Sequence, residues 1–232
     1  MIKFLIQTID GEIVHDFCFE LIRSIGYQKW KRIEMDYELA TLEEIKNLEW
    51  NKDLIPIGTI EFVFSFLKYV LEKETTPKPI NNPFNNRIGM AGEFKDLPEK
   101  FFIKSMEIFK DPRNGIVRRD DFKEFPGTWQ ISNIENIRSE WRCFVREEKI
   151  LALQPYNGDP LVFPNPVEIT KYVEKYRDLL PAYTMDFAIN EKNKTIPIEV
   201  HEFFSCGLYG FSDYNNLPWM FIRAWQNIIK RL

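Results

Sequence analysis

The sequence predicts a mixed α/β (α+β) protein. Strand-like and helix-like runs alternate over the first third, as in a chain of βα units. Later, strand-like runs divided by polar turns dominate. Between the two patterns lies "TTPKPINNPFNNR", a Pro- and Asn-rich stretch that reads as a loop or domain connection.

The first strand is "IKFLIQTI", which stops at Asp10 and Gly11. In "VHDFCFELIRSIGY" the apolar residues recur at helical spacing, and Gly26 falls where a helix C-terminus takes a glycine. "KRIEMDY" offers a second short strand, and the apolar "DLIPIG" leads into the helix "TIEFVFSFLKYVLEKE". In the second part "KFFIKSM", "TWQISNI", "EWRCFVREEKILALQPY" and "TMDFAINEKNKTIPIEV" read as strands. The last two are hairpins, turning at Glu147 and Glu148 and at Glu191 to Lys194. "NPVEITKYVEKYRDLL" is predicted to form a helix between them, and the amphipathic "PWMFIRAWQNIIKRL" forms the last. Trp219, Phe221 and Trp225 of that last helix suit either a core or an interface.

Composition narrows the function classes. With 232 residues, 44% hydrophobic and 28% charged, the chain has the make-up of a globular protein with room for a generous core. Its net charge of −4 argues against a protein that wraps nucleic acid, which needs a surplus of Lys and Arg. Cys18, Cys143 and Cys206 are widely separated and form no C-x-x-C pair, so neither a disulfide framework nor a structural zinc site is expected. Acidic residues appear by Asp10, too early for a secretory leader, and the longest apolar run is interrupted by Glu61, Ser65 and Lys68. These features predict a cytoplasmic chain that does not enter a membrane.

Several polar residues stand in unusual places. In "IPIEVHEFFSCGLYGF", Glu199 and His201 lie two apart on a strand and therefore share a face. Pairing through the polar turn would bring Asp186 to that face, giving three side chains able to hold a metal such as Mg²⁺. By spacing alone, the two acids read equally well as solvent-facing residues of an antiparallel sheet. Lys104 sits among apolar neighbours in "FFIKS", where a lone lysine is commonly a snorkelling surface residue. "KDPRNG" supplies Lys110 and Gly115 in an expected mobile turn, and "SEWRCFV" puts Glu140 and Arg142 on one strand face. The Arg142 fork matches phosphate oxygens.

The order of these pieces resembles the ATP-grasp superfamily, in particular its compact clade of small carboxylate–amine (peptide) ligases. The resemblance rests on "FIKS", the looser "KDPRNG", "SEWRCFV", "MDFAI", "IEVHEF" and "GLYGF", and spans about residues 100–211. It implies an ATP-grasp fold of two lobes clamping a nucleotide, preceded by a small α/β domain. The expected division is residues 1–90 for that domain and 91–232 for the ATP-grasp domain, with lobes at about 91–132 and 133–232. It also implies that Lys104 contacts the nucleotide phosphates, and that Lys110 and Gly115 belong to the loop closing over them. The backbone of Ile131, Ser132, Asn133 and Ile134 would meet the adenine. Arg142 would stabilise the transferring phosphoryl group, while Asp186, Glu199 and His201 would face the metal. His201 stands where the family usually carries Asn, and imidazole suits softer ions such as Mn²⁺ better than Mg²⁺.

The reaction implied is ATP- and Mg²⁺-dependent joining of a carboxylate and an amine through an acyl-phosphate, with release of ADP. A binding module on the same fold, sensing nucleotide without catalysis, is the main alternative, and phosphoryl transfer to a hydroxyl is a second. "HEFFS" starts like the zinc-protease H-E-x-x-H, but Ser205 occupies the place of the second His. Cys206 near His201 raises the idea of a thiol nucleophile, although a cysteine beside glycine more often packs.

Overall fold

The computed structural model describes residues 1–80 and 87–232; residues 81–86, within the expected connection, lie outside the described residues. The chain runs β1 (Ile2–Gln7), α1 (Asp16–Trp30), β2 (Met35–Ala40), α2 (Leu42–Asn47), β3 (Ile55–Ile57) and α3 (Ile60–Leu71). It continues through β4 (Arg87–Met90), a 3-10 turn (Ala91–Glu93), β5 (Lys100–Ser105), β6 (Gly115–Arg118), the single turn α4 (Arg119–Phe122) and β7 (Thr128–Ser132). The last stretch is β8 (Ile137–Arg146), β9 (Lys149–Gly158), α5 (Pro166–Glu174), β10 (Ala182–Asn190), β11 (Thr195–Glu202) and α6 (Leu217–Arg231).

Three sheets result. The first is parallel, in the order β2-β1-β3. Phe4, Leu5 and Ile6 of its central strand are fully buried, the near-continuous apolar run expected of a strand covered on both faces. The second, antiparallel, has the order β4-β7-β5-β6, and the third, also antiparallel, β11-β10-β8-β9.

Period-2 alternation gives the second and third sheets two distinct faces. Phe101, Ile103, Trp129 and Ile131 of the second sheet pack with Phe122 of α4 in a small core of their own. Phe102, Lys104, Gln130 and Ser132 lie on the other face. In the third sheet Cys143, Val145, Tyr183, Met185, Phe187 and Val200 pack against Ile169 and Val173 of α5. The opposite face is split along its length. Phe144 joins Phe203, Phe211, Phe221 and Trp225 in the core shared with the first sheet, α1 and α3, and farther along the strands Arg142, Asp186 and Glu199 occupy the same face.

Local signals explain the element ends. Thr41 accepts from the N–H of Glu44, whose side chain bonds back to Thr41 N–H, so "TLEE" is a capping box starting α2. Asn165 caps α5 and Pro166 takes its first position. Both predicted hairpins form. Glu147 and Glu148 both have positive φ, 46° and 69°, the signature of a tight type I′ connection.

The structure departs from the expected elements in three ways. α1 runs through Gly26 to Trp30 and closes at Arg32, whose φ is 63°. Burial of Ile25 and Gln28 on either side of the glycine outweighs its cost of about 1 kcal/mol within a helix. The predicted helix after Asn165 ends at Glu174 and gives way to turns. α2 and strands β4 and β6 were not expected, because each is short and carries no strong periodicity. Phe221 and Trp225 of α6 are core residues, 1% and 5% exposed. The three cysteines are free and buried, and among the described residues no helix is long and apolar enough to cross a membrane.

Gly158, at the end of β9, has φ +74°, and a Cβ there would lie 2.2 Å from the carbonyl oxygen of Arg138. Gly158→Ala therefore meets both an unfavourable backbone region and a backbone collision. It should cost about 2–4 kcal/mol and lower Tm by roughly 5–15 °C. A thermal melt checks this, and an unchanged Tm would show that the β8–β9 end relaxes freely.

Candidate active site

A cleft of about 590 Å³ lies between the second and third sheets. One wall is the polar-apolar face of the second sheet, with Phe102, Lys104, Ile116, Gln130 and Ser132. The other carries Ile137, Glu140 and Tyr156, together with Ile196, Pro197, Ile198 and Glu199 of β11. Asn133, Ile134 and Glu135 connect the walls. Four successive β11 residues reach the cleft because the strand bulges. Asp186 pairs with Glu199 and Phe187 with Pro197, so Ile198 is the extra residue. Pro197 is tolerated because β11 is an edge strand. Phe102, Ile116, Ile134 and Ile137 are all exposed, which leaves an apolar slot suited to a flat ring system.

At one end of the cleft the strand register builds a charged row. Asp186 of β10 pairs with Glu199 of β11 on one side and with Arg142 of β8 on the other. Arg142 grips Asp186 at two points, Nε to Oδ1 and Nη2 to Oδ2, both 2.8 Å, and Nη1 donates to the Gly207 carbonyl at 3.0 Å. Glu199 receives a hydrogen bond from Nζ of Lys104, which crosses from the second sheet. Two adjacent acids are thus flanked by a base on either side of the row.

The environment sets their protonation. Burial opposes charge on Arg142, and the Asp186 carboxylate more than offsets it, so the guanidinium is held charged. Burial pushes the Asp186 carboxyl up against the pull of Arg142, and the two-point geometry is that of an ionised pair. Burial would also raise Glu199, but Lys104 beside it prevails and holds the carboxyl below its usual value. Tyr156 is pushed up by burial and by Asp186, and remains a neutral hydroxyl. Its ring stacks on Tyr209 at 4.9 Å, and the Arg142 guanidinium sits 5.0 Å from the Tyr209 ring centre. Gly207 permits that arrangement, since a Cβ there would press on the Tyr209 ring at 3.2 Å.

The structure distributes the sequence-derived residues unevenly. Lys104, Lys110, Ser132, Asn133, Ile134 and Glu199 line the cleft. Ile131 does not, because its side chain belongs to the core of the second sheet. Gly115 opens β6 between Asn114 and Ile116, which do line the cleft. The segment expected as a mobile turn is tied down instead. Buried Asp111 holds Arg113 through two side-chain bonds of 2.9 and 2.6 Å, Arg113 lies over Trp129, and Asn114 accepts from the N–H of Ser105 at 2.7 Å.

His201 lies 8% exposed, its ring 4.7 Å from that of Phe204 and 5.6 Å from that of Phe109. Among the described residues, no three His, Cys, Asp or Glu side chains form a group able to hold a metal, so the structure does not gather His201 with Asp186 and Glu199. The donor set that fits Mg²⁺ is the two carboxylates, whose oxygens suit a hard cation that keeps several waters and substrate phosphates. Cys206 is buried, and burial pushes its thiol up to about 12. It is protonated at neutral pH and unsuited to act as a nucleophile. Tyr156, Glu135 and the apolar slot were not singled out in the sequence, and only their alternation with core residues marked them.

A clamp of two antiparallel sheets with paired acids and bases at one end of the cleft is the architecture of the ATP-grasp class. The solved structures agree on the fold. D-cycloserine synthetase DcsG superposes with a TM-score of 0.56 at 9% identity over 99% of both chains. The RimK domain ATP-grasp protein of Sphaerobacter thermophilus DSM 20745 gives 0.50 at 12% identity over 98% of both. N5-carboxyaminoimidazole synthetase of Staphylococcus aureus complexed with ADP gives 0.54 at 11% identity, over 98% of this chain and 77% of that one. No curated protein sequence matches the chain. A family model of the ATP-grasp domain, the second family of its clade, matches residues 91–217, more than half of the sequence, and the protein belongs to that ATP-grasp family.

Burial lowers the His201 pKa from 6.5 to about 4 against the opposing effect of Glu199. The unfolded chain thus binds a proton more readily than the folded one, so protonation favours unfolding. This contribution to stability is complete above pH 6.5 and falls as the pH drops from 6.5 towards 4, by up to roughly 3 kcal/mol. Chemical denaturation between pH 7 and pH 4.5 should show this slope, and His201→Asn should remove it. Parallel slopes for the two proteins would place the proton elsewhere.

Proposed function

We propose that the protein is an ATP- and Mg²⁺-dependent carboxylate–amine ligase. The observation that carries this reading is the charged row, in which Lys104 and Glu199 line one end of an apolar slot and the buried Asp186 and Arg142 continue the row beside Glu199. Adenine fits the slot lined by Phe102, Ile116, Ile134 and Ile137, with the backbone of residues 132–134 at its edge. The phosphates would then run towards Lys104, with Lys110 beside them.

Phosphoryl transfer is catalysed mainly by positioning and by neutralising charge. The terminal phosphoryl group passes from ATP to a substrate carboxylate, giving an acyl-phosphate and ADP. The amine then attacks the acyl carbon, forming the amide and releasing inorganic phosphate. Arg142 is fixed by Asp186 and Gly207 and uses three of its five N–H donors on them, which leaves two for phosphoryl or acyl oxygens. Lys104 pairs with Glu199. When phosphates draw the ammonium towards themselves, the carboxylate is released for the cation. Asp186 and Glu199 would hold Mg²⁺, which would supply positive charge against that of the phosphates.

One observation favours a second reading, a nucleotide-binding module without catalysis. Each carboxylate of the row already has a basic partner, and among the described residues no third metal ligand joins them. The two readings part at turnover, since both bind ATP but only the ligase releases ADP.

Lys104→Ala is the variant of choice, because its half-buried pair can be broken without stranding a deeply buried charge. Removing Arg142 would leave Asp186 uncompensated at about 3–5 kcal/mol. Lys104→Ala should weaken ATP binding at least about 10-fold while the nucleotide-free Tm stays within a few degrees. Thermal shift against ATP concentration measures this, and a collapse of Tm would make Lys104 structural. Glu199→Gln should abolish the Mg²⁺-dependent part of ADP release in a screen of amino acids and peptides. Unchanged release would remove Glu199 from the metal site.

A further inference from the structure

A single peptide unit joins the charged row to the first helix. The Gly207 carbonyl accepts from Nη1 of Arg142 at 3.0 Å, and the N–H of the same peptide, on Leu208, donates to Oδ2 of Asp16 at 2.7 Å. Asp16 opens α1, and its other oxygen accepts the N–H of Phe17 at 2.7 Å, so the carboxylate is fixed on both sides. The residue before it, His15, makes no side-chain cap. The peptide is also framed by its own turn. Leu208 O accepts from Phe211 N at 2.9 Å across Tyr209 and Gly210, whose φ values of 50° and 90° mark a type I′ turn.

Asp16 is the first rung of a polar stripe. Asp16, Glu20, Ser24 and Gln28 recur every four residues and so lie along one side of α1. All four bond the chain between Leu208 and Tyr214. Glu20 accepts from the Tyr214 hydroxyl at 2.8 Å, and Ser24 and Gln28 donate to the Tyr214 carbonyl at 3.0 and 2.6 Å. Ser24 and Gln28 are 0% and 1% exposed. The last three rungs secure the segment six residues beyond the peptide that touches Arg142; Asp16 meets that peptide itself.

We propose that Asp16 is a positioning residue for Arg142, acting through the Gly207–Leu208 peptide. Donation of the Leu208 N–H to a carboxylate polarises the amide and makes the Gly207 oxygen a stronger acceptor for the guanidinium. The bond also fixes where that oxygen stands. Asp186 sets the plane of the Arg142 fork, and the peptide sets the direction of its Nη1 arm. The functional half of this inference rests on the ligase reading, whereas the structural half does not.

The two halves are tested separately. In the nucleotide-free protein, the Arg142 Nε–H resonance is identified by its loss in Arg142→Lys. Asp16→Ala should shift it and speed its exchange with water by about 10-fold, the loss of one charge-assisted bond. Asp16→Asn keeps an oxygen acceptor and should restore it, while Ser24→Ala should lower Tm and leave it in place. If Asp16→Ala does not fold, Asp16→Ser supplies the helix start with an oxygen on a shorter arm and makes the same test. An Arg142 signal unmoved in Asp16→Ala, or in Asp16→Ser where Asp16→Ala does not fold, overturns the proposal. In ADP release, Asp16→Ala should lower kcat about 10-fold, since small misplacements of a catalytic group are costly. The KM for ATP should stay within about 2-fold, and Asp16→Asn should recover kcat. An equal loss in kcat and in Tm for both variants also overturns it, as a purely structural role. A shifted Arg142 signal in a wild-type protein that releases no ADP supports the positioning and counts against the ligase reading alone.

Discussion

Two charges out of water cost several kcal/mol each, and a buried guanidinium–carboxylate pair survives only where geometry and further hydrogen bonds return that cost. The Arg142–Asp186 pair meets the requirement. Register holds the two residues opposite each other, both bonds are 2.8 Å, and the Gly207 carbonyl takes a third N–H. Much of the third sheet is arranged so that this can happen. Strands β8, β10 and β11 must align without slippage, because a shift of one residue would send Arg142 into the apolar layer under α5. The bulge at Ile198 falls beside Glu199, at the one place where the cleft needs more than alternate residues.

The same sheet face serves two purposes along its length. At Phe144 it is part of a core shared with the parallel sheet, α1, α3 and α6, and at Arg142, two residues away, it carries the charged row. A rigid aromatic core therefore directly adjoins the groups that must be held in place. The second sheet has its own small core and meets the third across the cleft, with Lys104 bridging to Glu199. That bridge pairs the two charges where the sheets face each other.

The residues most informative in the sequence were those whose chemistry conflicted with their surroundings. Lys104 among phenylalanines, Arg142 in an apolar strand, and Glu199 two residues from His201 on a strand that is otherwise mostly apolar all proved to lie in or beside the cleft. Period-2 alternation could place them on faces, and the polar turns could pair the strands. What alternation could not supply was the surroundings of His201, whose ring meets Phe109 from a distant part of the chain as well as Phe204 three residues on. Nor could it show that Asp111 and Arg113 stiffen the "KDPRNG" segment, where composition suggested mobility.

By itself the sequence determined the strand and helix order of the larger elements, the two hairpins, and the set of charged side chains at their faces. These depend on local periodicity and turn chemistry, which act over a few residues. Only the tertiary structure decided that Arg142 binds Asp186 at two points, that Tyr156 stacks on Tyr209, and that Asp16 meets Leu208 from 192 positions away in the chain. Such contacts join segments whose spacing along the chain carries no information about their distance in space. They form because burying the apolar faces of three sheets leaves the polar groups between them few partners but one another.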